Sequence, residues 1–225
     1  MRGNFGSSEG SFFGSISLNI WLIIINVVAF VAFTILISLN VLGINSVAIM
    51  PSNILQGKYL WTFITSMFMH GGFFHLFVNM LSLLFIGSLT ERLIGKKRYF
   101  WFYILSGIFA GLFFVLSAWV LNSFGYSGDY NIYAVGASGA LFGLIGVLVL
   151  LTPNLPVYVM FIPIPIKLKY AAPGILILLW IISIAGNVPI GNTAHLGGLI
   201  AGLAYGVYLR KKFRKKTSYM RKYFV

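Results

Sequence analysis

Along this chain, apolar residues come in long unbroken runs rather than in alternation, and polar residues cluster between the runs. About 20 helical residues cross roughly 30 Å of hydrocarbon, and several runs reach that length. Breaks in the pattern predict six spans, at 18–39, 73–90, 99–121, 135–151, 173–187 and 192–209. The connecting loops are 40–72, 91–98, 122–134, 152–172 and 188–191. A β-barrel would need many short segments of alternating polarity, which these runs do not provide. The fold class expected is an all-α polytopic membrane protein. The fifth span is the shortest of these and calls for a thinned or locally wet bilayer.

The segments between the spans carry their own signals. Residues 59–69 are apolar but too short to cross, which predicts a helix in the outer leaflet or against the bundle. Pro153, Pro156, Pro163 and Pro165 exclude a continuous helix over 152–172. The first apolar run is too long for a signal-peptide core and lacks a small-residue cleavage site after it, so it is expected to be retained. The chain then divides into a short N-terminal segment (1–17), a membrane domain (18–209) and a basic tail (210–225).

Composition sharpens this picture. Of 225 residues, 59% are hydrophobic and 8% charged, too few for a water-exposed surface. The net charge of +13 raises the question of nucleic acid, but eight of sixteen basic residues fall in the tail, from Arg210 to Lys222. A basic run directly after a membrane helix is a topology signal and an anchor on anionic membrane lipid, so nucleic acid is not expected as a partner. With both termini cytoplasmic, fifteen of the sixteen Lys and Arg lie inside and only Lys58 outside. That orientation satisfies the positive-inside rule and predicts a multi-pass protein of the cell membrane. Without cysteine there is no disulfide or thiol chemistry.

Candidate chemistry comes from polar residues at membrane depth, which are costly unless paired or functional. The three histidines, His70, His75 and His195, all fall at the outer side, as does Ser138 near the start of the fourth span. Ser138 lies in Gly136-Ala137-Ser138-Gly139, where a helix start offers free N–H groups beside the hydroxyl. Gly139 and Gly143 are four apart, and so are Gly198 and Gly202 in the sixth span. Two such faces, with Gly136 beside them, can pack in backbone contact and bring the His195 ring to the Ser138 hydroxyl. Glycines at this spacing also occur in bundles with no site, and a lone serine usually bonds its own helix. The matching depth of Ser138 and His195 favours the reactive pair. His75 and Asn79 are i and i+4 and share one helix face. A metal site wants three or four His, Cys or carboxylate ligands, and the outer side offers one carboxylate, Asp129. Neutral donors near a nucleophile suit an oxyanion site instead. No metal and no cofactor is expected.

On these motifs the chain resembles the rhomboid family of intramembrane serine proteases, in its basic six-helix prokaryotic form. The likeness runs from about 18 to 209 and rests on His70 to Asn79, the Gly-x-Ser-Gly turn and Ala194-His195-x-x-Gly198. Trp61 and the Glu91-Arg92-Leu93 turn with Gly95 are also similar to the family's pattern. The family often has tyrosine where this chain has Phe142, and arginine where it has Thr62. The resemblance implies a six-transmembrane-helix bundle, Ser138 as nucleophile and His195 as general base. It implies an oxyanion hole of His75, Asn79 and the Ser138 backbone N–H, with His70 nearby. None of the three acids, Glu9, Glu91 and Asp129, is placed to orient His195, which favours a dyad over a triad. The expected reaction is hydrolysis of transmembrane protein substrates near the outer boundary. A catalytically inactive relative that binds membrane helices and a small transporter are the alternatives. Leu179 and Trp180, with Leu176 and Ile184, are expected to form a gate on the fifth span.

Overall fold

In the computed structural model of the chain, residues 16–159, 162–188 and 190–223 are described. Arg2 and Glu9 in the N-terminal segment, and Pro189, lie outside them.

Helix α1 (Leu18–Ser38) is apolar over most of its length, and its start is held by two anionic or polar caps. Ser17 Oγ accepts the Ile20 N–H at 3.2 Å, and the Glu91 carboxylate accepts those of Leu18 and Asn19 at 3.1 and 2.9 Å. A carboxylate facing free N–H groups at the positive end of a helix is favourable on both counts. Two short helices follow, α2 (Pro51–Leu55) and α3 (Thr62–Thr65). The helix expected over 59–69 is therefore only one turn long. Next come α4 (Phe73–Ser82), a π-helical turn over Leu83–Gly87 and α5 (Ser88–Ile94), continuous over 22 residues. Asn19 is fully buried beside that turn: its amide donates to Leu83 O at 2.8 Å and Ser88 Oγ at 2.9 Å, and it accepts from Tyr99 Oη at 2.6 Å. The π-turn frees a backbone carbonyl, and Asn19 occupies it. Gly95, at φ +87°, turns the chain into α6 (Lys96–Ser123).

The remaining long elements are α7 (Ser138–Leu151), α8 (Leu168–Gly186) and α9 (Asn192–Lys212), followed by α10 (Arg214–Tyr223). A hairpin of β1 (Pro156–Val157) and β2 (Ile166–Lys167) interrupts the proline-rich loop, with Pro156 opposite Lys167 and Val157 opposite Ile166. The fold is an all-α polytopic membrane fold, and this small hairpin is the one sheet among the described residues. Four helices among the described residues, α1, α4–α5, α6 and α8, are long and apolar enough to cross a membrane.

The fifth run departs from expectation. Helix α8 starts at Leu168, five residues before Pro173, and its 19 residues span about 28 Å. The loop supplies the caps that extend it: Leu168 and Lys169 N–H donate to Leu155 O and Pro153 O. Pro173 then removes one hydrogen bond inside the helix without ending it. Among the helices on the expected spans the shortest is α7, with 14 residues. It is apolar all round because it is the central element, with ten of those residues buried, as such helices are.

Glycines set how closely α7 approaches its neighbours. A Cβ on Gly198 would stand 2.0 Å from Gly139 O, and one on Gly202 would stand 2.1 Å from Gly143 O. On the α6 side, a Cβ on Gly143 would meet Ser106 Cβ at 2.7 Å. Helices α7 and α9 are thus in backbone contact, the close approach that small residues permit. Gly198→Ala is expected to destabilise the protein by about 1–3 kcal/mol, since neither backbone can yield cheaply. Gly174→Ala, where a Cβ meets nothing within 4 Å, should be neutral or slightly stabilising. Thermal unfolding in detergent checks this, and equal midpoints for the two variants would contradict the contact described.

Candidate active site

Ser138 opens α7 and is partly accessible, while Ala137 before it and Gly139 after it are buried. Gly136 holds the turn at φ +123°, a conformation that a side chain would strain. Its N–H donates to Ser66 O at 2.8 Å, and the bridge between Ala134 and Ile49 pins the strand before it. Gly136 therefore shapes the turn and is not part of the α7–α9 packing face; Gly139, Gly198 and Gly202 are. The space left by its missing side chain is the approach to the site. A methyl there would stand 2.8 Å from His75 Cε1, 2.9 Å from His75 Nε2 and 3.6 Å from Ser138 Oγ.

His195 comes from the first turn of α9 and is buried. Its Nε2 lies 2.8 Å from Ser138 Oγ, across 57 residues of sequence. Among the described residues its Nδ1 has no hydrogen-bond partner. The ring is held instead by Phe142, which stacks on it at 4.7 Å between centroids and 20° between planes. Phe142 is one turn beyond Ser138, so one helix supplies both the hydroxyl and the wall that orients its partner. Glu91 is committed to the start of α1, and Asp129 lies in the loop before α7, where burial raises its carboxyl above the usual range.

His75 lies in the first turn of α4, with Gly71 N–H donating to its Nδ1 at 3.3 Å. Nδ1 as acceptor places the ring proton on Nε2, the nitrogen nearest the gap at Gly136. Asn79 is buried one turn on, but its amide donates back to His75 O at 2.8 Å, leaving one N–H uncommitted. His70 is buried behind His75, edge-on to it at 5.2 Å and to Phe30 at 6.3 Å. Its ring packs on that of His75. Leu179 and Trp180 of α8 are half-buried and pack with Leu176 against Phe142 and Leu199. Ile184 is 80% exposed. Among the described residues no group of three His, Cys, Asp or Glu is arranged to hold a metal.

The family model described as Rhomboid domain matches residues 57–212, a stretch that holds both Ser138 and His195. The chain belongs to the rhomboid family. It is 34% identical over 152 residues to RHOMBOID-like protein 5 of Arabidopsis thaliana, covering 66% of this chain and 44% of the relative. It is 35% identical over 181 residues to RHOMBOID-like protein 6, mitochondrial, of the same plant, covering 74% and 51%. It is also 33% identical over 149 residues to Inactive RHOMBOID-like protein 8, covering 65% and 37%. The matches span about half or less of these relatives' own length. Rhomboids are generally intramembrane serine proteases, and some relatives are named inactive.

Three features of this rhomboid site were not singled out in the sequence: the backing of His70 by Phe30, the anchoring of Gly136 by Ser66 and the gap that Gly136 leaves for His75. Only the last had a readable signal, a glycine two residues before a helix start. The geometry makes a direct prediction about protonation. In spectra of the protein labelled with ¹⁵N-histidine, neutral His75 is expected as the Nε2–H tautomer. An Nδ1–H tautomer would contradict the Gly71 hydrogen bond.

Proposed function

We propose that this rhomboid is an active intramembrane serine endopeptidase that cuts transmembrane segments of membrane proteins with a Ser138–His195 dyad. The observation that carries the reading is the 2.8 Å contact between Ser138 Oγ and His195 Nε2. At that distance a neutral imidazole takes the hydroxyl proton as the oxygen attacks a substrate carbonyl. Carbon–oxygen bond formation places negative charge on the former carbonyl oxygen. The free N–H of Ser138 at the start of α7 and the Nε2–H of His75 across the Gly136 gap are the donors for it. The remaining N–H of Asn79 is a third. His195 then returns its proton to the leaving amine, the acyl-enzyme forms, and water repeats the sequence to release the carboxyl product. No acid assists His195 in this scheme, and Phe142 holds the ring by stacking.

The orientation we propose places both termini in the cytoplasm and the dyad towards the outer face of a cell membrane, as the Lys and Arg distribution favours. A helical substrate must unwind before its carbonyls are reachable, so segments with Gly, Pro or small residues near the outer boundary are the expected targets. Leu179 and Trp180 of α8 are proposed as the gate, since they cover the Phe142 side of the dyad. The likeness to a relative named inactive supports a second reading, a rhomboid that binds membrane helices without cutting them. The paired serine and histidine weigh against it.

Cleavage of a reporter transmembrane segment in proteoliposomes tests these roles together. Ser138→Ala and His195→Ala are expected to abolish cleavage in folded protein. Asn79→Ala should lower the rate by up to about 10²–10³, because other donors remain. Trp180→Ala or Leu179→Ala should raise turnover of the membrane substrate without speeding reaction with a small soluble probe. Undiminished cleavage by Ser138→Ala would overturn the assignment, and equal gains on both substrates would overturn the gate.

A further inference from the structure

The densest unused chemistry lies at the other end of the bundle from Ser138. There α10 folds back against the helices, with Thr217 and Met220 buried and Arg214, Lys215, Lys216, Arg221 and Lys222 exposed. Lys216 Nζ donates to Leu93 O at 3.0 Å. The Arg98 guanidinium lies over the Phe213 ring, 4.7 Å from its centroid, and donates to Ile94 O at 3.3 Å. Leu93 and Ile94 are the last residues of α5, whose carbonyls have no partner within the helix. Each cation thus satisfies one helix-end carbonyl and keeps further N–H donors free. Between α10 and the bundle is a cavity of about 90 Å³, lined by Arg98, Lys216 and an apolar wall that includes Leu93, Leu209, Phe213 and Met220.

Charge decides what belongs there. Among the described residues the only side-chain carboxylates are Glu91 and Asp129. Glu91 already accepts the N–H groups at the start of α1, and Asp129 lies in the loop that leads to Ser138. Arg98 and Lys216 therefore face a cavity with no side-chain carboxylate among the described residues left to balance them. A free anion would satisfy the charge but leave the apolar wall wet. A charged headgroup carrying hydrocarbon satisfies both.

We propose that this cavity binds the phosphate of an anionic membrane phospholipid, with Arg98 and Lys216 on the phosphate oxygens and the start of the acyl chains along the apolar wall. The bound lipid joins α10 to the ends of α5, α7 and α9. Ser138 and Leu151 are the two ends of α7, about 20 Å apart, so the lipid stabilises the helices that carry the site without touching it. The proposal is independent of whether the protein cuts peptides.

The test uses the full chain in neutral detergent, with thermal unfolding and native mass spectrometry as readouts. Added phosphatidylglycerol is expected to raise the unfolding midpoint and to remain bound as a one-to-one adduct. Phosphatidylcholine and inorganic phosphate at the same concentration should do neither. Lys216→Gln and Arg98→Gln should each raise the phosphatidylglycerol concentration for half-effect about fivefold. Lys215→Gln, which does not line the cavity, should shift it by less than about twofold. If Arg98→Gln fails to fold, Lys216→Gln decides, since its ammonium holds only the Leu93 carbonyl. Equal shifts for Lys215→Gln and Lys216→Gln would mean diffuse attraction to the tail and overturn the site. So would a full stabilising effect from inorganic phosphate.

Discussion

Backbone contact between α7 and α9 is the constraint on which the site depends. Gly139 and Gly143 present carbonyl oxygens where Gly198 and Gly202 have no side chains, and the gap is too small for even a methyl group. Ser138 and His195 stand on the same two helices, one residue before Gly139 and three before Gly198. Their 2.8 Å separation is therefore a consequence of helix packing and not of flexible side chains finding each other. Helices held apart by ordinary side chains lie 8–10 Å between axes, and a short serine could not then reach the imidazole. In a bilayer this contact is favoured for its own sake, because lipid offers no hydrophobic drive and close van der Waals fit takes its place.

A second constraint follows from putting polar groups at such depth. His70, Asn79, Asn192 and His195 are all buried, and each is costly unless it is held for a purpose. The chain handles His195 with the Phe142 stack and handles His75 with the Gly71 N–H, fixing orientation without introducing a buried charge. Among the described residues the one buried carboxylate, Glu91, is kept at the opposite end, where it caps α1 and neighbours the Asn19–Tyr99 hydrogen bond at the π-turn.

How much of this could be read from the sequence depended on whether a feature is local. The four spans long enough to cross were legible because hydrocarbon thickness imposes a length, and α1 ends at Ser38 within one residue of its expected boundary. The Ser138–His195 pairing was legible because glycine spacing and equal depth together leave few alternatives. The start of α8 was not, because its first N–H groups are satisfied by Pro153 and Leu155 carbonyls that only the folded loop brings near. The docking of α10 escaped for the same reason, since it depends on contacts such as that of Lys216 with the distant Leu93. Gly136 illustrates the boundary case. Its composition marked it as a close-approach residue, but only the backbone angle and the position of His75 show that it shapes a turn.

Reaction with a serine-directed probe is the most direct test of the central claim, that packing of α7 on α9 creates an activated serine. The protein would be treated with a fluorophosphonate or isocoumarin in detergent and the adduct located by mass spectrometry. The account predicts a single adduct on Ser138 that is lost in His195→Ala, although that variant keeps the serine. Labelling that is absent in the native protein, or equally strong without His195, would contradict it.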